Sequence, residues 1–265
     1  MASAYDSASS PAEADGYVRP MIAVSDEGAV RLLRIDRGSR KNAFDQAQYH
    51  GLADALRAAA DDDAVHVVVI TGTGDAFSAG QDLAEMAELA AGTGSGPATG
   101  FPSLLHELET FPKPLIAAVN GVAVGIGMTM LLHCDIVLVA DTARMRVPFS
   151  ELGVPPEAGS SVLFADVVGW QQAAELLFTS RWVTADEAVQ MGLALRVVAA
   201  PELAGAAAAL AEAIAARSPW AVQTAKRLLL EGRGTRVQDA RSREDAAFGE
   251  QIGRASCRER VCSTV

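Results

Sequence analysis

Short strand-like runs and one long helical stripe alternate in the first part of the chain. Ile22 to Val24 and Val30 to Ile35 are β-rich runs, and Asp26-Glu27-Gly28 between them predicts a hairpin. Apolar residues then recur at helical spacing, which predicts a helix that Asp45 opens and that runs to about Ala60. The chain therefore begins with a β-hairpin followed by an amphipathic helix.

Three continuous apolar runs of strand length follow, and continuous runs are typical of strands buried on both faces. They are Val65 to Thr71, Leu115 to Val119 and Ile136 to Ala140. Gly125 to Leu132 has a helical pattern between the last two. Strands that alternate with helices predict an α/β core.

Beyond Pro155-Pro156 the pattern is mostly helical, notably over residues 202–216, 219–231 and 237–251. Ile252–Val261 (IGRASCRERV) resembles the translation of a sequencing adapter, so we expect a non-native end; a genuine basic tail is the alternative. The predicted organisation is a disordered tail (1–18), an α/β core (19–198), a helical C-terminal region (199–251) and a non-native tail (252–265).

Charge and cysteine content exclude several functions. With 33 Asp and Glu against 22 Lys and Arg, the net charge is -11, so we expect no nucleic-acid partner and no anionic membrane surface. Only three cysteines and no visible signal peptide favour a reducing, cytoplasmic location. Glycines and polar residues interrupt Leu115 to Ala140, which therefore predicts buried core elements instead of a membrane span.

Candidate chemistry is confined to two glycine-marked turns, because the four histidines lack metal-ligand spacing and no Gly-x-Ser-x-Gly motif occurs. Phe77–Leu83 and Asn120–Gly127 each follow a predicted strand and lead into a helix. Backbone N–H groups at such turns are unpaired, and two that converge would form an oxyanion hole. The glycines could equally serve only to pack helices on strands, and spacing alone favours neither interpretation.

The chain from about Met21 to Glu250 resembles the enoyl-CoA hydratase/isomerase (crotonase) superfamily. The motifs that carry the resemblance are Arg37–Phe44 (RGSRKNAF), Ile70–Leu83 (ITGTGDAFSAGQDL), Lys113–Gly121 (KPLIAAVNG), Cys134-Asp135 and Ala185–Leu193 (ADEAVQMGL). The resemblance implies a crotonase-like spiral of ββα units, a homotrimer or hexamer, and acyl-CoA thioester substrates. It implies no separate cofactor, because coenzyme A is part of the substrate.

The resemblance also implies a set of site residues. The oxyanion donors would be the N–H groups of Ala79 and Ile126, and the basic residues Arg37, Arg40 and Lys41 would face the phosphates of coenzyme A. For any single basic residue, plain solvation at the surface is an equally good interpretation. The remaining residues expected to contact substrate are Ala43, Gly80, Asp82, Leu83, Gly125 and Phe149.

The acid/base residues decide the reaction within such a family. A typical hydratase of this superfamily uses two glutamates, and the corresponding positions here hold Thr129 and Phe149. Glu157 instead matches the single catalytic glutamate of the peroxisomal-type Δ3,Δ2-enoyl-CoA isomerases. One carboxylate suffices for isomerisation, because it takes a proton from C2 and returns it to C4. An apolar environment would raise the pKa of Glu157 and a helix N-terminus would lower it.

Alternatives remain open at this point. Taken alone, Glu157 fits a first-turn glutamate that complements a helix dipole, and only the resemblance favours the catalytic role. We expect the neighbouring Glu151 to be a surface residue, and the carboxylates of Asp82 and Asp135 to be structural. Besides an isomerase, the sequence is compatible with a hydratase that recruits another acid and with a non-catalytic acyl-CoA-binding module.

Overall fold

The computed structural model describes residues 21–91 and 98–252, without the side chains of residues 89, 90, 251 and 252. The predicted disordered tail (1–18) and nearly all of the predicted non-native tail (252–265) lie outside the described residues. Most of the glycine-rich connector over residues 91–100 lies outside them as well.

The described strands form two sheets. In chain order they are β1 (Ile22–Glu27), β2 (Val30–Ile35), β3 (Val67–Gly72), β4 (Ala76–Ser78), β5 (Leu115–Val119), β6 (Val122–Val124), β7 (Ile136–Ala140), β8 (Arg144–Arg146), β9 (Val183–Thr184) and β10 (Arg196–Val198). The larger sheet has the order β1-β2-β3-β5-β7-β10, and the smaller one has the order β4-β6-β8-β9. In the larger sheet β1 and β2 are antiparallel, as the hairpin prediction requires, and the later neighbours are parallel.

Consecutive strands alternate between the two sheets, so that every repeat supplies one strand to each sheet. The pairs β3/β4, β5/β6 and β7/β8 follow this rule. Within the smaller sheet β4, β6 and β8 run parallel, which places the ends of these three strands along one edge. This arrangement is the predicted spiral of ββα units.

Helices cover the sheets and extend the C-terminal part. They are α1 (Gln46–Asp61), α2 (Leu83–Ala90), α3 (Gly100–Thr110), α4 (Ile126–Thr129), α5 (Phe149–Leu152), α6 (Ser160–Val168), α7 (Trp170–Thr179), α8 (Ala185–Gln190), α9 (Leu203–Ala215), α10 (Pro219–Arg233) and α11 (Arg236–Ile252). The side chain of Asp45 accepts a hydrogen bond from the N–H of Gln48, which confirms the predicted start of α1. α9 packs across β3, β5 and β7, where Val69, Ala117 and Val139 are fully buried.

The structure adds strands that the hydrophobic pattern does not predict. Five of the ten described strands have only two or three residues, and β9 and β10 interrupt the region predicted as mostly helical. Strands of two or three residues are too short to show an alternating hydrophobic pattern, so the sequence does not predict them. They form by pairing with strands that are distant in sequence. None of the helices in the described ranges is both long and apolar enough to cross a bilayer.

Candidate active site

The two glycine-marked turns touch each other. They follow β4 and β6, which are adjacent and parallel, so the chain leaves both strands at the same edge of the smaller sheet. Gly80 has a φ of +95°, and a Cβ placed there would lie 2.8 Å from the carbonyl oxygen of Val124 and 3.8 Å from the Cα of Gly125. Only glycine combines this φ with this approach. The glycines therefore bring two backbone segments together, and the residue after each of them lies at their junction.

After the first turn, the backbone of Gln81 faces the second turn. Phe44 forms a parallel bridge with Gln81: the N–H of Phe44 donates to the carbonyl of Gly80 at 2.7 Å, and the N–H of Asp82 donates to the carbonyl of Phe44 at 2.8 Å. In this pattern the N–H of the bridged residue points away from its partner strand. Among the described residues, no acceptor lies within hydrogen-bond distance of the Gln81 N–H.

Ile126 is the first residue of α4, and the orphan position at a helix N-terminus leaves its N–H unpaired. The preceding Gly125 is fixed on both sides, because its N–H donates to Arg146 at 3.0 Å and its carbonyl accepts from Met128 and Thr129 at 2.9 Å. Within residues 21–91 and 98–252, no acceptor reaches the Ile126 N–H. The side chain is buried, so the N–H has little competition from water.

The prediction that Ala79 supplies an oxyanion donor is wrong. Its N–H donates to the carbonyl of Lys41 at 2.9 Å and is therefore occupied. Ala79 directly follows β4, and its N–H still pairs with the segment before α1. The backbone N–H without an acceptor among the described residues comes two residues later, after Gly80. The position of Gly80 in the motif is the signal that could have identified the donor. Gln81 follows this positive-φ glycine, whereas Ala79 precedes it.

Glu157 lies in a tight turn before α6. Ala158 and Gly159 both have positive φ, +62° and +71°, and the N–H of Ser160 donates to the carbonyl of Glu157 at 3.0 Å. Burial raises the pKa of Glu157 to about 8, with a smaller contribution from the negative charge of Glu244. In the described part of the chain, no donor makes a hydrogen bond to the Glu157 carboxyl.

The sequence leaves open whether burial or the helix N-terminus controls the pKa of Glu157. The contacts of Glu244 answer this question. Glu244 of α11 accepts hydrogen bonds from the N–H groups of Gly159 at 2.7 Å and Ser161 at 2.9 Å. It therefore occupies N–H groups at the start of α6 that could otherwise stabilise the carboxylate of Glu157. Burial dominates, and the pKa rises.

A buried histidine also contacts this turn. Nε2 of His133 lies 2.8 Å from the carbonyl oxygen of Ala158, so Nε2 carries the proton and donates it. Burial lowers the pKa of His133 to about 4, which keeps the ring neutral. His133 is thus a packed residue, and its hydrogen bond to the carbonyl of Ala158 holds this turn.

Tyr49 bonds to the first glycine turn and lies within electrostatic range of Glu157. Its hydroxyl donates to Oε1 of Gln81 at 2.6 Å, while its ring packs against Phe44 and Phe101. Burial raises the pKa of Tyr49 well above its ordinary value, and the nearby negative charge of Glu157 raises it further. Glu157 therefore lies within electrostatic reach of the residue that is hydrogen-bonded to Gln81.

The predicted phosphate-facing residues do not share one environment. Arg37 is committed to structural bonds, because it pairs with Asp82 at 2.8 Å and Asp45 at 3.1 Å and donates to the carbonyl of Ala43 at 3.0 Å. Lys41 pairs with Asp75, yet more than half of its side chain is exposed. Arg40 is exposed and has no ion pair within the described residues.

The other residues predicted to contact substrate have different positions. Gly80 and Gly125 form the contact between the turns, Leu83 begins α2 behind the first turn, and the buried Phe149 begins α5 beyond β8. The carboxylate of Asp82 caps α2 through the N–H of Ala84 and pairs with Arg37, so its role is structural.

The remaining carboxylates, Asp135 and Glu151, have the environments that the sequence analysis predicts. Asp135 accepts from the N–H of Leu115 and pairs with Lys226, and is structural. Glu151 is exposed and pairs with Arg146. Thr129 and Phe149, which the resemblance matches to the two hydratase glutamates, are both buried. Among the residues described, no group of three or more His, Cys, Asp or Glu side chains could hold a metal ion.

Comparison with known proteins gives relatives of two kinds. A sequence profile of the enoyl-CoA hydratase/isomerase family matches residues 25–263. The chain is 37% identical over 227 residues to 2,3-dehydroadipyl-CoA hydratase of Escherichia coli K12, covering 85% of this chain and 88% of that protein. It is 38% identical over 181 residues to enoyl-CoA delta isomerase 2 of Homo sapiens, covering 67% of this chain and 45% of that protein. The match thus spans less than half of the human isomerase.

Solved structures share the fold. An enoyl-CoA hydratase/isomerase from Pseudoalteromonas atlantica superposes with a TM-score of 0.86 at 35% identity, covering 92% of this chain and 96% of that one. An enoyl-CoA hydratase from Mycobacterium marinum has a TM-score of 0.76 at 43% identity, covering 80% of this chain and 99% of that one.

Paired sheets built from ββα repeats, with two glycine turns in contact at one sheet edge, define a protein of the crotonase fold class. The chain belongs to the enoyl-CoA hydratase/isomerase family. It is an enzyme of the acyl-CoA hydratase/isomerase type.

Proposed function

We propose that this enzyme is an enoyl-CoA isomerase that moves the double bond of a 3-enoyl-CoA to the 2-position, with Glu157 as its single base. One observation carries the proposal: Glu157 is a partly buried carboxyl whose pKa burial raises to about 8. The resemblance adds that Thr129 and Phe149 stand where a typical hydratase has its two glutamates. A reaction that needs one proton carrier fits this site better than one that must also activate water.

The proton transfer uses Glu157 twice. In the first step the C2–H bond breaks, the proton goes to the Glu157 carboxylate, and the electron pair forms a C1–C2 double bond while the carbonyl electrons move to the thioester oxygen. In the second step the dienolate collapses, C4 takes the proton from Glu157, and the double bond lies between C2 and C3. The raised pKa makes Glu157 a stronger base than an ordinary glutamate.

The developing negative charge on the thioester oxygen needs donors that are already in place. The N–H groups of Gln81 and Ile126 follow the two touching glycines and have no acceptor in the described ranges, which supports their role as the oxyanion hole. Each such donor is worth about 2.7–4 kcal/mol of transition-state stabilisation. Because both belong to hydrogen-bonded turns, little reorganisation accompanies the reaction.

The coenzyme A part of an acyl-CoA substrate would meet exposed basic residues beside the first turn. The carbonyl of Lys41 binds the N–H of Ala79, so Arg40 and Lys41 lie next to the proposed oxyanion turn. The buried side chain of Asn42 fixes them there by donating to Thr73 at 2.9 Å and Ala76 at 2.7 Å. These two cations supply local positive charge in a chain with a net charge of -11.

Hydration of a 2-enoyl-CoA is the second candidate, because the Escherichia coli relative that matches over 88% of its length is a hydratase. The buried threonine and phenylalanine at the two hydratase positions argue against it. If this chain hydrates a 2-enoyl-CoA, another acid must do the work of those glutamates.

The test is an assay of purified protein on 3-enoyl-CoA substrates of several chain lengths, with conversion to the conjugated product followed by absorbance. We expect Glu157→Gln to lose about 10²–10⁴-fold in kcat, because the amide cannot accept the proton. Glu151→Gln is the matched control, since Glu151 is exposed and paired with Arg146, and should keep wild-type activity. Full activity of Glu157→Gln would refute the assignment, and turnover of a 2-enoyl-CoA that survives this change would favour the hydratase.

We further propose that the enzyme assembles as a homotrimer or hexamer. Large apolar side chains are exposed on two helices: Trp170 and Phe178 on α7, and Trp220 and Leu229 on α10, each more than two thirds exposed. Exposed apolar groups of this size support an interface. Light scattering of the purified chain would measure the mass, and a monomer would contradict the proposal.

A further inference from the structure

The turn that carries Glu157 is attached to the C-terminal helix α11, more than eighty residues away in sequence. The carboxylate of Glu244 is 5% exposed and accepts from the N–H of Gly159 at 2.7 Å and of Ser161 at 2.9 Å. Charge-assisted bonds of this kind are about twice as strong as neutral ones. Two of them therefore hold both ends of the segment that directly follows the base.

Packing at the same place leaves no room for a side chain at Gly159. A Cβ at Gly159 would lie 2.8 Å from Cγ1 of Val237 on α11, and Gly159 has a φ of +71°. Ala158 has a φ of +62°, which is rare for a residue with a side chain. The conformation that presents Glu157 thus depends on contacts from α11.

We propose that Glu244 is a positioning residue for the reaction: through its bonds to Gly159 and Ser161 it fixes the Glu157 turn and keeps those N–H groups from binding the Glu157 carboxylate. The proposal rests on the proposed function, in which Glu157 is the base. Glu244 itself has no part in the proton transfer, since its oxygens are occupied by the backbone.

The surrounding charges support this role. The negative charge of Glu244 raises the pKa of Glu157 beyond the effect of burial, because like charges disfavour the ionised form. Among the described residues, Tyr49 of α1 interacts electrostatically with Glu157, and Glu109 of α3 interacts with Glu244, His106 and Arg241 of α11. His133, at the end of the 3₁₀ helix Met130–His133, interacts with Arg233 of α10 and with Arg241. Arg241 pairs with Glu109 at 3.0 Å.

The experiment is the pH profile of kcat/KM on a 3-enoyl-CoA for wild type and Glu244→Gln. The amide removes the charge and cannot accept both bonds as a carboxylate does, so the freed N–H groups and the lost repulsion both stabilise ionised Glu157. We expect the acid limb of the profile to move to lower pH by about one unit. A folded Glu244→Gln enzyme whose acid limb coincides with that of wild type would overturn the proposal.

Asp166→Asn is the matched control, because it also converts a carboxylate to an amide where α11 meets α6. Asp166 pairs with Arg236 of α11 at 2.8 Å on the surface and does not touch the Glu157 turn. We expect its acid limb to stay in place. An equal shift in Asp166→Asn would overturn the specific role of Glu244, since any loosening of α11 would then have the same effect.

Glu244→Asp keeps the test valid if the amide variant does not fold. Its charge stays near the turn, but the side chain is one methylene shorter and cannot reach both N–H groups. We expect kcat to fall by about tenfold while KM stays within about twofold, because the base is displaced and substrate binding is not. Unchanged kcat would overturn the proposal. Loss of activity in Glu157→Gln together with wild-type behaviour of the Glu244 variants would refute this inference alone, whereas an active Glu157→Gln would refute the proposed function.

Discussion

The hydroxyl of Tyr49 lies 2.6 Å from Oε1 of Gln81, and this bond joins the buried aromatic cluster of α1 to the residue whose N–H faces the second glycine turn. Nε2 of Gln81 is also fixed, because it donates to Glu85 at 3.3 Å. The side chain of Gln81 thus has a partner at each end, while its backbone N–H has none within the described ranges. The side-chain bonds therefore orient Gln81 and do not occupy its backbone N–H.

Tyr49→Phe removes the hydroxyl and leaves the ring in its packing site. We expect kcat on a 3-enoyl-CoA to fall by about fivefold to tenfold with KM nearly constant, since one hydrogen bond of about 1 kcal/mol no longer orients Gln81. Steady-state kinetics at several pH values measure this. A rise in KM with unchanged kcat would mean that Tyr49 contributes to binding instead.

Gly80→Ala should separate the two glycine turns. The new Cβ meets the carbonyl oxygen of Val124 at 2.8 Å, which displaces the Gln81 N–H, and a misplacement of about 1 Å can reduce the rate by about 10²-fold. Gly74→Ala is the matched control, because Gly74 also has positive φ, +77°, but has nothing within 4 Å. Both variants should lose stability, and only Gly80→Ala should lose activity. Equal kcat values for the two would contradict the role of the contact.

The activity should depend on pH through Glu157, which must be ionised to take the C2 proton. With a pKa of about 8, kcat/KM is expected to rise about tenfold per pH unit below pH 8 and to level off above it. Initial rates in buffers from pH 4 to pH 10 give the profile. An acid limb centred near pH 4.5 would show that Glu157 titrates as an ordinary exposed glutamate.

The stability of the fold should also depend on pH through Glu157, but it should fall as the pH rises, whereas the activity increases. Because the folded pKa of Glu157 is raised above the unfolded value of 4.5, its contribution to the free energy of unfolding is complete below pH 4.5 and is lost as the pH rises to about 8. Glu157→Gln removes this loss. We therefore expect the Tm of the variant, relative to wild type, to be several degrees higher at pH 9 than at pH 5, at about 2–4 °C per kcal/mol. Calorimetry at the two pH values would show it, and an identical difference at both would contradict it.

Arg37 and Arg40 should respond differently to truncation. Arg37→Ala breaks the pairs with Asp45 and Asp82, so it should lower the free energy of unfolding by about 2 kcal/mol. Arg40→Ala breaks no ion pair in the described part of the chain and should leave stability unchanged, while raising KM for an acyl-CoA by about threefold. Thermal melts and KM values distinguish the two. A raised KM with unchanged stability in Arg37→Ala would restore its predicted role at the phosphates.

Much of the architecture follows from the sequence by itself. The hairpin, the helix that Asp45 opens and the three buried strands of the larger sheet are local patterns, and the structure confirms them. The presence of Thr129, Phe149 and Glu157 is also given by the sequence, because residue identity needs no coordinates, and the resemblance alone suggests what these positions mean for the reaction.

Only the tertiary structure decided which groups are available for chemistry. Ala79 and Gln81 are two residues apart in one motif, yet the carbonyl of Lys41 occupies the first N–H, whereas the second has no acceptor among the described residues. The pKa of Glu157 depends on burial and on Glu244, which lies far along the chain. Hydrophobic periodicity is a property of neighbours in sequence, whereas hydrogen-bond pairing and desolvation arise between segments that only the fold brings together.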